Sequence, residues 1–126
     1  MSSMQQIKAD LLKLVSDCLP GVNVSFDYAT SMEAEKAAVI TNLVLNYEND
    51  LELHYRKVLR FGLMLIAKND SDLDEIIEMA ESLSDQSNQT IKYVMLDSLE
   101  YVGTDDPDDK YSIMNLSCDI WDVKNG

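Results

Sequence analysis

Residues 61–83, FGLMLIAKNDSDLDEIIEMAESL, contain the change of period that decides the fold. In the first part Phe61, Leu63, Leu65 and Ala67 share one parity, continuing from Leu59, while Val58, Met64 and Ile66 fill the other. A period of two is that of a strand, and apolar residues on both parities predict a central strand covered on both sides. The pattern then switches. Leu73, Ile76, Ile77, Ala80 and Leu83 recur at spacings of three and four, which predicts an amphipathic helix over about 72–84. Asn69, Asp70 and Ser71 supply capping candidates, and Ser71 with Asp74 has the spacing of a capping box, with Asp in place of the usual Glu or Gln. Asp72, Asp74, Glu75, Glu78 and Glu81 cover the rest of the helix, and acid in its first turn suits the helix dipole.

Toward the N-terminus, the central strand extends back to about Leu51 through the basic group Arg56-Lys57, with Leu51, Leu53 and Tyr55 on the parity of Leu59. Before it lies a strand at about 38–47, in which Val39, Leu43, Leu45 and Tyr47 share a face with Thr41, opposite Ile40 and Val44. A hairpin arm at about 46–60, projecting beyond the core, suits the polar and basic interruption. Residues 29–37 read as a polar connection with room for a helical turn. Residues 22–28 alternate apolar and polar as a half-buried strand does. The opening element is helical: Ile7, Leu11, Leu14, Val15 and Cys18 form one stripe, Ser3 is the N-cap, and Pro20-Gly21 stop it.

Two further strands follow the second helix. One spans about 90–102, with Tyr93, Met95, Leu99 and Tyr101 on one face and Val94, Leu96 and Val102 on the other. The last spans about 110–123, with Met114, Leu116, Cys118 and Ile120 opposite Tyr111, Ile113, Trp121 and Val123. The expected fold is α+β in the order α-β-β-β-α-β-β: one domain over 1–126, with about five mainly antiparallel strands flanked by two helices.

Composition narrows the function. At 126 residues and 46% hydrophobic, the chain has material for one core. No apolar run reaches the ~20 residues of a membrane span, and the opening stretch lacks the pattern of a secretion signal. Asp and Glu number 23 against 10 Lys and Arg, a net charge of −13 that disfavours binding to phosphate backbones or anionic membranes. The two cysteines, Cys18 and Cys118, stand far apart and read as reduced thiols, and with a single histidine they cannot make a four-ligand zinc site.

Catalytic motifs are missing from the chain: it has no Walker loop, no GxGxxG and no GxSxG, and only four glycines to build phosphate-binding loops. No enzyme and no cofactor is expected. His54 reads as a surface or interface residue rather than a general base. Asp105, Asp106, Asp108 and Asp109 flank Pro107 in an acidic loop whose spacing does not match an EF-hand, so no metal is assigned and a solvated hairpin tip is expected.

With its elements in this order, the chain resembles the tail terminator and minor capsid proteins of long-tailed bacteriophages. The likeness is carried by residues 7–28, IKADLLKLVSDCLPGVNVSFDY, by the strand-and-helix segment 61–83, and by the closing stretch DDPDDKYSIMNLSCDIWDVKNG. It implies a virion subunit assembled in the host cytoplasm, six copies of which close into a ring that caps the tail tube and joins it to the head connector. The implied partners are further copies of the chain, the tail tube protein and the connector or stopper protein, with DNA passing through the channel unbound. On that reading Asp105, Asp106, Asp108 and Asp109 would repel DNA from the lumen. His54, Tyr55, Arg56, Lys57 and Arg60 would form a subunit or partner contact arm. The rival readings are a head-completion or stopper subunit of the same junction, and an acidic DNA-mimic inhibitor of a DNA-binding enzyme.

Overall fold

A computed structural model of the chain describes residues 3–28, 34–49, 55–102 and 110–120, the side chains of residues 49, 55 and 56 excepted. Its elements are α1 (Met4–Cys18), β1 (Asn23–Ser25), β2 (Lys36–Asn49), β3 (Tyr55–Ala67), α2 (Asp70–Glu81), β4 (Ile91–Val102) and β5 (Lys110–Ile120). A 3-10 turn at Ser82–Asp85 continues α2. The strands form one sheet in the order β1-β2-β3-β5-β4. Among the described residues the β1–β2 pair alone is parallel, and the other three pairs are antiparallel. The α+β class and the element order are those expected from the pattern.

Strand β3 is central, paired with β2 on one side and β5 on the other. Its odd-numbered residues Leu59, Phe61, Leu63, Leu65 and Ala67 join Met114, Leu116, Cys118 and Ile120 of β5 in the core. Both helices lay their apolar stripes on this face: Ile7, Leu11, Leu14 and Val15 from α1, and Leu73, Ile76 and Ala80 from α2, followed by Leu83. On the opposite face Ala37, Val39 and Val58 are buried, while Met64 and Ile66 are half-buried.

The helix ends have local causes. Ser3 Oγ accepts from the Gln6 amide at 3.1 Å, the expected cap, and Gly21 takes φ +80 beyond the Leu19 C-cap. At α2 the cap is Asn69, not Ser71. Its Oδ1 accepts from the Asp72 amide at 2.8 Å while its Nδ2 donates to the Asp72 carboxylate at 3.1 Å. The helix therefore starts two residues earlier than the Ser71–Asp74 spacing predicts. Lys36 of β2 reaches Glu75 of α2 at 3.7 Å, an ion pair across the layers.

The remaining departures concern strand lengths and faces. The first strand covers only Asn23–Ser25. Residues 29–33 and 51–54 lie outside the described residues, as do Trp121 and Val123. In β2 a bulge between Thr41 and Val44 includes Asn42 at φ 53, so the core-facing parity changes. Ala38 and Ile40 face the core before the bulge, and Leu43 and Leu45 after it. Val39 therefore lies opposite Leu43 and Leu45 rather than beside them. In β4 register shifts fall between Lys92 and Met95 and between Leu96 and Ser98, with Tyr93 at φ 54. The expected alternation of β4 is broken twice.

Candidate interaction surface

β4 is an edge strand. Its first residues belong to the core: Ile91 is fully buried and Val94 nearly so. From Met95 to Tyr101 every residue is exposed. The exposed side chains are large: Tyr93 is 66% exposed, Met95 59%, Leu99 47% and Tyr101 57%. An edge strand presents unpaired backbone groups, and proteins normally blunt such edges with charge. Here apolar and aromatic side chains alternate with Asp97 and Glu100, so among the described residues β4 carries an exposed apolar row.

Cross-strand partners locate the two faces. Leu96, Leu99 and Tyr101 lie opposite Leu116, Met114 and Ser112, whose side chains point toward the helices. Leu96 and Leu99 line a shallow depression of ≈ 190 Å³ with Glu81, Ser98 and Met114. Glu81 at the end of α2 borders it, and Tyr101 Oη donates to Asp70 Oδ1 at the helix start at 3.4 Å. Glu100 lies opposite Ile113 on the other face. There Asn115 Nδ2 donates to Ser98 Oγ at 3.0 Å and Ser117 Oγ to Asp97 Oδ1 at 3.3 Å.

The second exposed edge is the far half of β2. Strand β1 pairs with β2 only at Ala37, Ala38 and Val39, so among the described residues no strand flanks residues 44–49 on their outer side. Val44 is 50% and Tyr47 63% exposed. Lys57 Nζ sits 5.9 Å from the Tyr47 ring, and Arg60, exposed, lies opposite Val44 in β3. Of the arm residues singled out in the sequence, Lys57 and Arg60 thus flank this edge. Nothing is described of the side chains of Tyr55 and Arg56, and His54 lies outside the described residues, as do Asp105, Asp106, Asp108 and Asp109.

Along α2 the side chains of Asp74, Glu75, Glu78 and Glu81 are exposed, whereas Asp72 is half-buried in the Asn69 cap. One buried carboxylate is internal and structural. Asp10 of α1 accepts from the Thr90 hydroxyl and from Gln6 Nε2, and its backbone oxygen accepts from Asn88 Nδ2 at 3.1 Å. Both thiols are free. Burial pushes Cys118 up to about 12, with the nearby Asp119 adding to the rise. Burial also raises Cys18, against an opposing hydrogen bond with Ser82. Among the described residues no group of three or more His, Cys, Asp or Glu could hold a metal ion. No helix among them is long and apolar enough to cross a membrane.

No family model matches the chain, and no curated protein does. Solved structures do share its fold. One is described as "Virion of native gene transfer agent (GTA) particle", with a TM-score of 0.58 at 13% identity, over 92% of this chain and 89% of that one. At that identity the likeness is one of fold.

Proposed function

We propose that the chain is a structural virion protein, a tail terminator subunit whose copies close into a hexameric ring between the tail tube and the head connector. The observation that carries this reading is the exposed apolar length of β4 on a chain with a net charge of −13. A protein this acidic has ample side chains to keep an edge polar, so a row of Met95, Leu96, Leu99 and Tyr101 points to a protein partner. The fold shared with a chain of a gene transfer agent virion, over nearly the full length of both, supports placing that partner in a virion. The protein works by contact, without catalysis.

On this reading the 46–60 hairpin, with Lys57 and Arg60 near its base, is a contact arm for a neighbouring subunit or the tube. The acidic loop with Asp105, Asp106, Asp108 and Asp109 faces the channel, where like charge keeps DNA from adhering. The test is the mass of the protein alone and with tail tube protein. Hexamers in solution, or formed only on tube ends, are expected. A stable monomer or dimer that ignores tube ends and blocks a DNA-binding enzyme would replace the ring with the DNA-mimic reading. Hexamers that bind the connector but not the tube would make the protein a stopper. Reversing the four loop charges should spare assembly and impair DNA delivery; unimpaired delivery removes the loop from the channel.

A further inference from the structure

We infer that the chain joins a second copy of itself edge to edge, residues 98–102 of β4 in one copy pairing antiparallel with residues 44–48 of β2 in the next. The inference rests on the self-association proposed above and names the surfaces that would make it.

Backbone geometry selects these two stretches. The irregularities of β4 end at Ser98, and from there Ser98 to Val102 pair regularly with Asn115 to Tyr111 of β5. The bulge of β2 ends at Val44, and from there the ladder with β3 runs regularly to the Asn49–Tyr55 pair. Each is a straight segment at the border of the sheet, able to accept a further strand. The direction is determined as well. Since β2, β3, β5 and β4 alternate in direction, a copy laid alongside in the same orientation brings its β2 antiparallel to β4.

The side chains agree with that register. Pairing Val102 with Val44 places Tyr101 opposite Leu45, Glu100 opposite Asn46, Leu99 opposite Tyr47 and Ser98 opposite Glu48. Leu99 and Tyr101 lie on the helix side of their sheet, as do Leu45 and Tyr47, so apolar meets apolar on that face. On the other face Glu100 meets Asn46, with Glu48 on one diagonal and Val44 on the other, and Arg60 stands one strand in from Val44. Charge also argues against the symmetric alternative. Two β4 edges paired about Glu100 would set Glu100 directly against Glu100, whereas β4 against β2 leaves only a diagonal approach of Glu100 to Glu48, with Arg60 on the same face one strand in. The joint is therefore head-to-tail, the kind that closes into a ring when the rotation per copy allows it.

The test is cross-linking between single-cysteine edges. Asn46→Cys and Glu100→Cys are made in the full chain; the native thiols Cys18 and Cys118 are half-buried and buried, and the unaltered chain reports their background. Under copper phenanthroline, the mixture of the two variants should give disulfide-linked dimer at about tenfold or more over either variant alone, and Leu99→Asp in both should lower that yield by about tenfold. The double variant should give a ladder. Glu100→Cys cross-linking to itself as well as in the mixture, or no mixed dimer above background, overturns the inference. The two proposals fail separately. Hexamers by mass without the mixed cross-link sink the edge pairing and leave the ring, whereas mixed cross-links in open chains that never close sink the ring and leave the edge.

Discussion

Gly62→Ala gives the strictest test of the packing argument, because the structure names both the obstacle and its removal. Gly62 sits in the middle of β3, between Thr41 of β2 and Asn115 of β5. A Cβ at Gly62 would stand 2.6 Å from Thr41 Oγ1, about 0.8 Å inside the 3.4 Å at which ordinary contact begins. Thr41 has two heavy atoms on its Cβ, so only one of its three staggered rotamers leaves that position to hydrogen. It also lies at the start of the bulge beside Asn42, where the backbone has little freedom to retreat. Overpacking of this kind costs about 1–3 kcal/mol, and the stiffer unfolded chain returns about 0.4–1 kcal/mol, leaving a net loss of about 1.3 kcal/mol at the middle of both ranges. Urea unfolding of four proteins measures it: the parent, Gly62→Ala, Thr41→Ala and the double variant. In the Thr41→Ala background the obstructing oxygen is gone, so Gly62→Ala should become neutral or slightly stabilising. Thr41→Val keeps a heavy atom in place in two rotamers and should not rescue. Equal losses in the parent and Thr41→Ala backgrounds would refute the steric account.

Three further outcomes follow from single contacts. Asn69→Ala removes the α2 cap and should cost about 1 kcal/mol in urea unfolding, whereas Ser71→Ala, outside the cap, should stay within about 0.5 kcal/mol. Asp10→Ala leaves the buried Thr90 hydroxyl without its acceptor while the Asn88 bond to the Asp10 backbone oxygen stays, a loss of about 1–3 kcal/mol that Asp10→Asn should mostly avoid. Cys118 ionises near 9.0 when unfolded but at about 12 when folded, so its contribution is complete below pH 9 and is lost as pH rises toward 12. Stability should fall over that window by up to about 1.4 kcal/mol per pH unit, Cys118→Ala should flatten the slope, and iodoacetamide at pH 8 should leave Cys118 unmodified in the folded protein.

Local pattern was a sufficient guide wherever an element has neighbours on both sides. The stripes of α1 and α2, the parity of β3 and the core face of β5 all appear where periodicity puts them, because each is set by burial against the same core. The edges were not legible. Asn42 and Tyr93 adopt left-handed backbone within β2 and β4, and each bulge inserts a residue that exchanges inward and outward parity beyond it. Strict alternation therefore placed Val39 with Leu43 and set Leu96 opposite Leu99, both reversed by the structure. Asn69 is among the capping candidates of the sequence, but Ser71 offers a similar signal two positions on, and only the fold decides where the backbone first turns helical. The exposed side of β4 was invisible for another reason. Residues 93–101 read as an ordinary two-faced strand, and nothing local records that the strand is outermost.

The same irregularities bear on assembly. Bulges normally blunt an edge against pairing, and here they occupy the beginning of β4 and the middle of β2 while the ends of both strands stay straight. The acidity acts in the opposite sense to the apolar edges, since every joint brings together two bodies that each carry −13. Arg60 stands one strand in from the joint and Glu48 lies nearer to Glu100, so charge at the joint does not offset that general repulsion. Self-association should therefore strengthen as salt is added. The Debye length falls from about 30 Å at 0.01 M to about 8 Å at 0.15 M, which removes repulsion between whole subunits and leaves the apolar contact of Leu99 and Tyr101 intact. Sedimentation across that range should show the associated fraction rising, and Leu99→Asp should abolish the rise. Association that instead weakens with salt would mean that ion pairs, and not the apolar edges, hold the copies together.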